Sequence, residues 1–198
     1  MANNTERFER HIELRNVIVK SNGRTILNIP HAIIPANQIT ACIGPNGAGK
    51  TTFLKLLDGL IQPDTGTVKY SFVNKTALVL HHTPMIKASA RTNISLVKDV
   101  DSQITVDDVD RVIDRIGLKG LANSPAHKLS AGERQKLCLG RAILQKPNLV
   151  LLDEPTAGLD LAGREDLLTR FASYATDANS PVSVMVTHHI EEIPAGTT

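Results

Sequence analysis

Eight residues, Gly44-Pro45-Asn46-Gly47-Ala48-Gly49-Lys50-Thr51, satisfy G-x-x-x-x-G-K-[ST] at every fixed position. A short β-rich run, Ile39 to Ile43, stops at Gly44, while Leu54, Leu57 and Ile61 recur beyond the loop at helical spacing. Strand, glycine-rich loop and helix therefore follow in the order that a phosphate cradle requires. The glycines let the backbone turn sharply and aim its N–H groups inward, and the helix that follows presents its positive end to the same anion. Lys50 adds a full charge toward the outer phosphates, Thr51 offers a hydroxyl to Mg²⁺, and Thr52 is counted with the loop as a further contact. An incidental glycine-rich turn would not need these flanks. The expectation is a nucleoside triphosphate site.

The rest of the chain alternates between strand and helix patterns. Ile12, Leu14, Val17 and Val19 read as a strand whose alternation slips once near Asn16; Asn22-Gly23 turns the chain, and Thr25 to Leu27 resumes it. Ala77 to Leu80 is a short apolar strand. Val106, Val109, Val112, Ile113 and Ile116 then recur at helical spacing, with Thr105 and Asp108 as an N-terminal cap and Gly117 as the stop. A helix is predicted from near Ser130 to before Pro147. Leu149 to Leu152 reads as a strand buried on both faces, Leu161 to Ala175 as a helix, and Val182 to Val186 as the last strand. This predicts an α/β P-loop NTPase fold with a largely parallel sheet core, an N-terminal antiparallel β region and a helical insert at about 82–128.

At 198 residues the chain is expected to form one domain, 1–198. A net charge of +2 without a Lys/Arg block, 3% aromatics and no Trp argue against a nucleic-acid partner. Cys42 and Cys138 make no metal-ligand or CxxC pattern, so no disulfide framework is expected and a reducing cytosol fits. Met1 to Arg10 has no apolar core of the signal-peptide kind, and no apolar run reaches the length of a membrane span.

A second chemical cluster follows the buried run. Asp153-Glu154 leaves the C-terminal end of a strand, where parallel sheets bind ligands. Asp153 is placed to hold Mg²⁺, and Glu154 to polarise an attacking water as general base; the plainer reading is a strand-ending turn with solvated acids. Leu129-Ser130-Ala131-Gly132-Glu133-Arg134-Gln135 precedes it by one helix. Together these motifs closely resemble those of ABC-type ATPases over nearly the whole chain. Asp160, in Ala157-Gly158-Leu159-Asp160, is similar to the family's D-loop, and His188 to its switch histidine at the γ-phosphate.

The resemblance implies an ATP-hydrolysing enzyme using ATP and Mg²⁺. Two domains, a homodimer or a paired ATPase subunit, would close head to tail, with Ser130 and Gly132 reaching the γ-phosphate across the interface. It further implies a cytoplasmic subunit on the inner face of the membrane, paired with an integral-membrane permease and an extracytoplasmic binding protein. The segment 80–94 and the turn Asn22 to Leu27 are similar to tungstate/molybdate-type oxyanion importers. Met85 and Ile86 read equally as part of a groove for the permease and as core. A soluble non-transport ATPase or a weakly hydrolysing regulatory domain is the alternative; a P-loop kinase would leave Leu129 to Gln135 without a role.

Three departures from the family's pattern stand out. Ser21 occupies the place of an adenine-stacking aromatic, a loss of about 1–3 kcal/mol, with Tyr70 and Phe72 as remote candidates to replace it. His81 takes the place of a glutamine between Mg²⁺, water and permease; imidazole is a poor Mg²⁺ ligand, so His81 is expected to orient water and to add a pH dependence near neutrality. The chain also stops soon after His188, short for the family.

Overall fold

The computed structural model describes residues 10–73, 75–80, 84–99, 101–177 and 180–188. Strand β1 (His11–Ser21) folds back on β2 (Arg24–Pro35) through Asn22-Gly23, both at positive φ (49° and 76°), as a tight hairpin turn demands. The slip expected near Asn16 is a bulge. Asn16 has φ 50°, and the pairing of β1 with β4 (Thr65–Tyr70) shifts between Arg15 and Ile18. Ile12 and Leu14 before it, and Val17 and Val19 after it, thus all reach the core. The neighbouring strand must yield at that point. A Cβ on Gly66 would lie 2.3 Å from the Asn16 carbonyl oxygen, and its φ of 83° suits glycine.

The second sheet is parallel, in the order β3 (Ile39–Ile43), β7 (Val182–Thr187), β6 (Leu149–Asp153), β5 (Thr76–Val79). Its two central strands are buried on both faces. Leu149 and Leu151 join Val182, Val184 and Val186 in one cluster with α1 (Lys50–Asp58) and the antiparallel sheet. Val150, Leu152 and Met185 face the other way, into a cluster with α4 (Ala131–Leu144), α5 (Leu161–Ala175) and the helices of the insert. The continuous apolar run of β6 is what two buried faces require.

Between β5 and α4 the described residues form α2 (Ala90–Ser95), α3 (Val106–Arg115) and short 3-10 turns at Leu96–Asp99, Lys119–Leu121 and Ala126–Lys128. The Thr105–Asp108 capping box is present, and hydrogen bonds from the Thr105 backbone and hydroxyl, then from Arg111, hold the Asp108 carboxyl well below its ordinary range. Two local expectations are corrected. Helix α1 ends at Asp58 because Gly59 turns left-handed (φ 80°), so Ile61 packs from the following loop. Strand β5 ends at Val79, and Leu80 is exposed.

Candidate functional site

The loop 44–49 runs from the end of β3 to the start of α1, with Gly47 and Gly49 at φ 82° and 90°. A Cβ at Gly49 would press within 3.0–3.1 Å of Leu27 and Ile26 on β2, so the loop lies close against the antiparallel sheet. Pro45, Asn46, Gly47 and Ala48 are exposed. Helices α2, α3, α4 and α5 each start on a side-chain cap, from Ser89, Thr105, Ser130 and Asp160; α1 starts on Gly49 with none. Its first N–H groups are left for an anion.

Lys50 is 8% exposed, and its Nζ donates to the carbonyls of Gly44 (2.7 Å) and Pro45 (3.2 Å) and lies 3.5 Å from Glu154 Oε1. Thr52 follows in the first turn of α1, half-buried. The Thr51 hydroxyl donates to Asp153 Oδ2 at 3.1 Å across 102 residues of sequence. These two hard oxygens fit Mg²⁺. Glu154 leaves β6 with φ 46°, pinned by its N–H to the Val186 carbonyl (3.0 Å), and its Oε1 lies 3.1 Å from His188 Nδ1. Gly44, Glu154 and His188 thus gather at the C-terminal ends of three adjacent parallel strands, the place where such sheets bind ligands.

Ser130, Gly132 and Asp160 form a separate group. The Ser130 hydroxyl accepts from the Glu133 N–H, and Glu133 Oε2 accepts from the Ser130 N–H at 2.7 Å; Asp160 Oδ1 accepts from the Gly163 N–H at 2.8 Å. Capping and a ligand-facing role are compatible here, because both helix N-termini open on one cavity of about 380 Å³. It is lined by Ser130, Gly132, Lys136, Leu159, Asp160 and Gly163 among others, and by none of the loop residues nor Asp153, Glu154 or His188. Sequence reasoning missed Lys136, which bonds Asp166 (2.6 Å) on α5, and Leu161, which is 70% exposed beside Asp160. The Ser130-centred motif could have pointed to Lys136 as a neighbour on its helix. A larger cavity of about 470 Å³, lined by Arg10, Arg111, Arg115, Lys146 and Tyr174, contains none of the motif residues.

The remaining expectations divide. Ser21 ends β1 and is exposed. Tyr70 pairs with Ile12 at the opposite end of β1, nine residues or about 30 Å away. Its hydroxyl donates to the Leu57 carbonyl and its ring meets Phe72 edge-on, so neither aromatic replaces the missing stacker. Met85 packs on the core, while Ile86 is 42% exposed. His81 lies outside the described residues. Cys42 and Cys138 are not joined in a disulfide; burial pushes the Cys42 thiol up, against a smaller pull from Lys50. No described helix is long and apolar enough to cross a membrane.

Known proteins converge on the same reading. The family described as ABC transporter matches residues 27–157. A zinc import ATP-binding protein of Buchnera aphidicola subsp. Baizongia pistaciae is 34% identical over 192 residues, 94% of this chain and 77% of its own length. Its counterpart in Haemophilus influenzae is 33% identical, over 93% of this chain and 68% of its own. Among solved structures, an inward-facing transporter assigned to the metal-chelate ABC type superposes with TM-score 0.80 at 25% identity, over 93% of this chain and 75% of that one. The cbiO1 protein of Clostridium perfringens, part of the cbiONQ complex, superposes at 0.81 and 22%, over 92% and 80%. The oxyanion-importer resemblance of segment 80–94 finds no support among these zinc-import relatives.

Proposed function

The chain belongs to the ABC transporter family, whose ATP-binding domains bind ATP with Mg²⁺ and hydrolyse it, and from that premise we propose that it powers an importer of divalent metal ions, zinc foremost. The observation that carries the metal reading is the alignment with zinc import ATP-binding proteins over nearly the whole chain. The cargo itself passes through a membrane subunit. We assign this chain to the cytoplasmic side, as partner of a permease that docks on the loop 84–88, where Ile86 is exposed, and of a binding protein beyond the membrane.

The site residues take these roles in the proposal. The loop 44–49 and the uncapped start of α1 hold the triphosphate, and Lys50 exchanges its contacts with Gly44 and Pro45 for phosphate oxygens. Mg²⁺, held by Thr51 and Asp153, supplies charge neutralisation on the phosphates when bound. The Glu154 carboxylate takes a proton from the water as its oxygen bonds to the γ-phosphorus and ADP leaves, and His188 keeps that carboxylate at the strand ends. Because the Ser130, Gly132 and Asp160 cavity shares no lining with the loop, each chain supplies two half-sites, and a second copy brings the complementary half. Two helix N-termini then face the outer phosphate from across the interface.

Deletion of the gene in its own host, with growth and radiolabelled zinc uptake measured under chelation, tests the reading. Loss of uptake that zinc restores, and that Glu154→Gln fails to complement, is expected. Normal zinc uptake with lost molybdate or tungstate uptake would refute the cargo. ATP-dependent dimerisation of Glu154→Gln in light scattering tests the paired half-sites.

A further inference from the structure

The cavity of about 470 Å³ that contains none of the motif residues has the size of a small-molecule site. It opens at the N-terminal end of β6. Its lining includes Lys146, Pro147 and Asn148, which lead into that strand, whereas Asp153 ends the strand about 16 Å further on. Three separate parts of the chain bring cations to it: Arg10 just before β1, Arg111 and Arg115 one turn apart on α3, and Lys146.

Carboxylates do not balance these charges. Arg115 is matched by Asp177, but Arg111 (2.7 Å) and Lys146 (3.3 Å) share a single oxygen, Asp108 Oδ1. The other oxygen of Asp108 accepts from the Thr105 N–H (2.9 Å) and hydroxyl (2.8 Å). The Arg10 guanidinium has no hydrogen bond or ion pair among the described residues. Two positive charges are left over, one from Arg10 and one from the Arg111 and Lys146 pair. Lys146 carries a further sign. Its φ of 49° suits Asn or Gly, yet a lysine stands there.

The remaining wall is apolar, from Val112, Ile143, Leu144 and Pro147, and closes on Tyr174. Burial pushes the Tyr174 phenol up to about 12, with the Arg115 guanidinium, 5.1 Å from the ring centre, pulling the other way. The phenol therefore stays an O–H donor at neutral pH, and that hydroxyl has no hydrogen bond among the described residues. Cations arriving from three parts of the chain match the several oxygens of a tetrahedral phosphate, where one guanidinium fork would satisfy a planar carboxylate. The apolar wall matches an organic body.

We propose that this cavity binds a small phosphate monoester, the phosphate held by Arg10, Arg111 and Lys146 and the body resting on Val112, Ile143 and Pro147, at a site separate from the nucleotide loop. Bound there, the ligand ties α3 of the insert to the start of β6 and to the antiparallel sheet.

The test uses the full chain and two dianionic probes at constant ionic strength, cyclohexyl phosphate and cyclohexane-1,2-dicarboxylate. The chain has 2 Tyr and no Trp, so in Tyr70→Phe the emission comes from Tyr174 alone. Cyclohexyl phosphate should change that emission saturably with a Kd below about 1 mM. The dicarboxylate should bind at least about fivefold more weakly. Lys50→Gln removes the charge of the nucleotide loop and keeps a donor for the Gly44 carbonyl; the titration should not change, and calorimetry should count one site per chain. Arg10→Ala, and Lys146→Asn with its fit to the left-handed backbone, should each weaken binding by about tenfold. Their ATPase without probe should stay within about twofold of wild type. The proposal falls if no saturable change appears, or if calorimetry finds binding to which Tyr174 is silent. It falls equally if the dicarboxylate binds as well as the phosphate, if Lys50→Gln abolishes the effect, or if both cation variants bind as wild type.

Discussion

Replacing Glu154 by Gln should tighten ATP binding while it stops hydrolysis. The carboxylate lies 3.5 Å from Lys50 Nζ and 3.1 Å from His188 Nδ1, so in the absence of nucleotide it competes with phosphate for the lysine. Two unit charges at that separation attract by about 5 kcal/mol at an effective dielectric of 20. The Glu154 side chain is 24% exposed, and solvent screening and the lysine's remaining carbonyl partners reduce the net difference to about 1 kcal/mol. That corresponds to about fivefold tighter ATP binding. Loss of the base lowers the single-turnover rate by about 10²–10⁴. Equilibrium dialysis with radiolabelled ATP and Mg²⁺ at constant ionic strength, paired with single-turnover hydrolysis, reads both quantities. Equal or weaker binding would refute the competition argument. A rate within about tenfold of wild type would remove Glu154 from the role of base.

Ser21→Tyr, which restores an aromatic at the exposed end of β1, should strengthen ATP binding by about 1–3 kcal/mol if the adenine lies there; unchanged affinity in the same dialysis assay would place the base elsewhere. Leu161→Glu, introduced beside Glu154→Gln, should leave the melting temperature intact because residue 161 is 70% exposed, yet prevent ATP-dependent dimers in light scattering. Asp108→Asn should lower stability at neutral pH. Because the folded Asp108 carboxyl lies below its ordinary 3.8, its contribution is present above that pH and fades below it. Chemical denaturation of the two proteins should therefore differ at pH 7 and converge as the acid range is entered; a constant gap would exclude Asp108 as the cause. Gly66→Ala should destabilise the antiparallel sheet, since the new methyl group would overlap the Asn16 backbone, and a melting temperature equal to wild type would contradict the close approach.

Local chemistry was legible in the residues themselves. The loop 44–51, the Thr105 and Ser130 capping boxes, the Asn22-Gly23 turn and the doubly buried run of β6 each carry their signal in spacing or turn preference, which needs no distant partner. The pairings between distant segments were not legible. Thr51 meets Asp153, and Glu154 meets His188, because strand order places β3, β7 and β6 side by side, and no local pattern encodes that order. The same holds for Tyr70, whose place at the far end of β1 follows from antiparallel register, and for Met85 and Ile86, adjacent residues that part into core and surface. Asn93 and Arg141 show the limit most clearly. Each reads as an ordinary polar residue in a helix, and only the close packing of α2 on α4 turns them into a shared fixture for the loop 84–88 that precedes α2. Periodicity and turn preference act within a few residues along the chain, whereas register, strand order and helix packing are settled when the apolar faces are buried together.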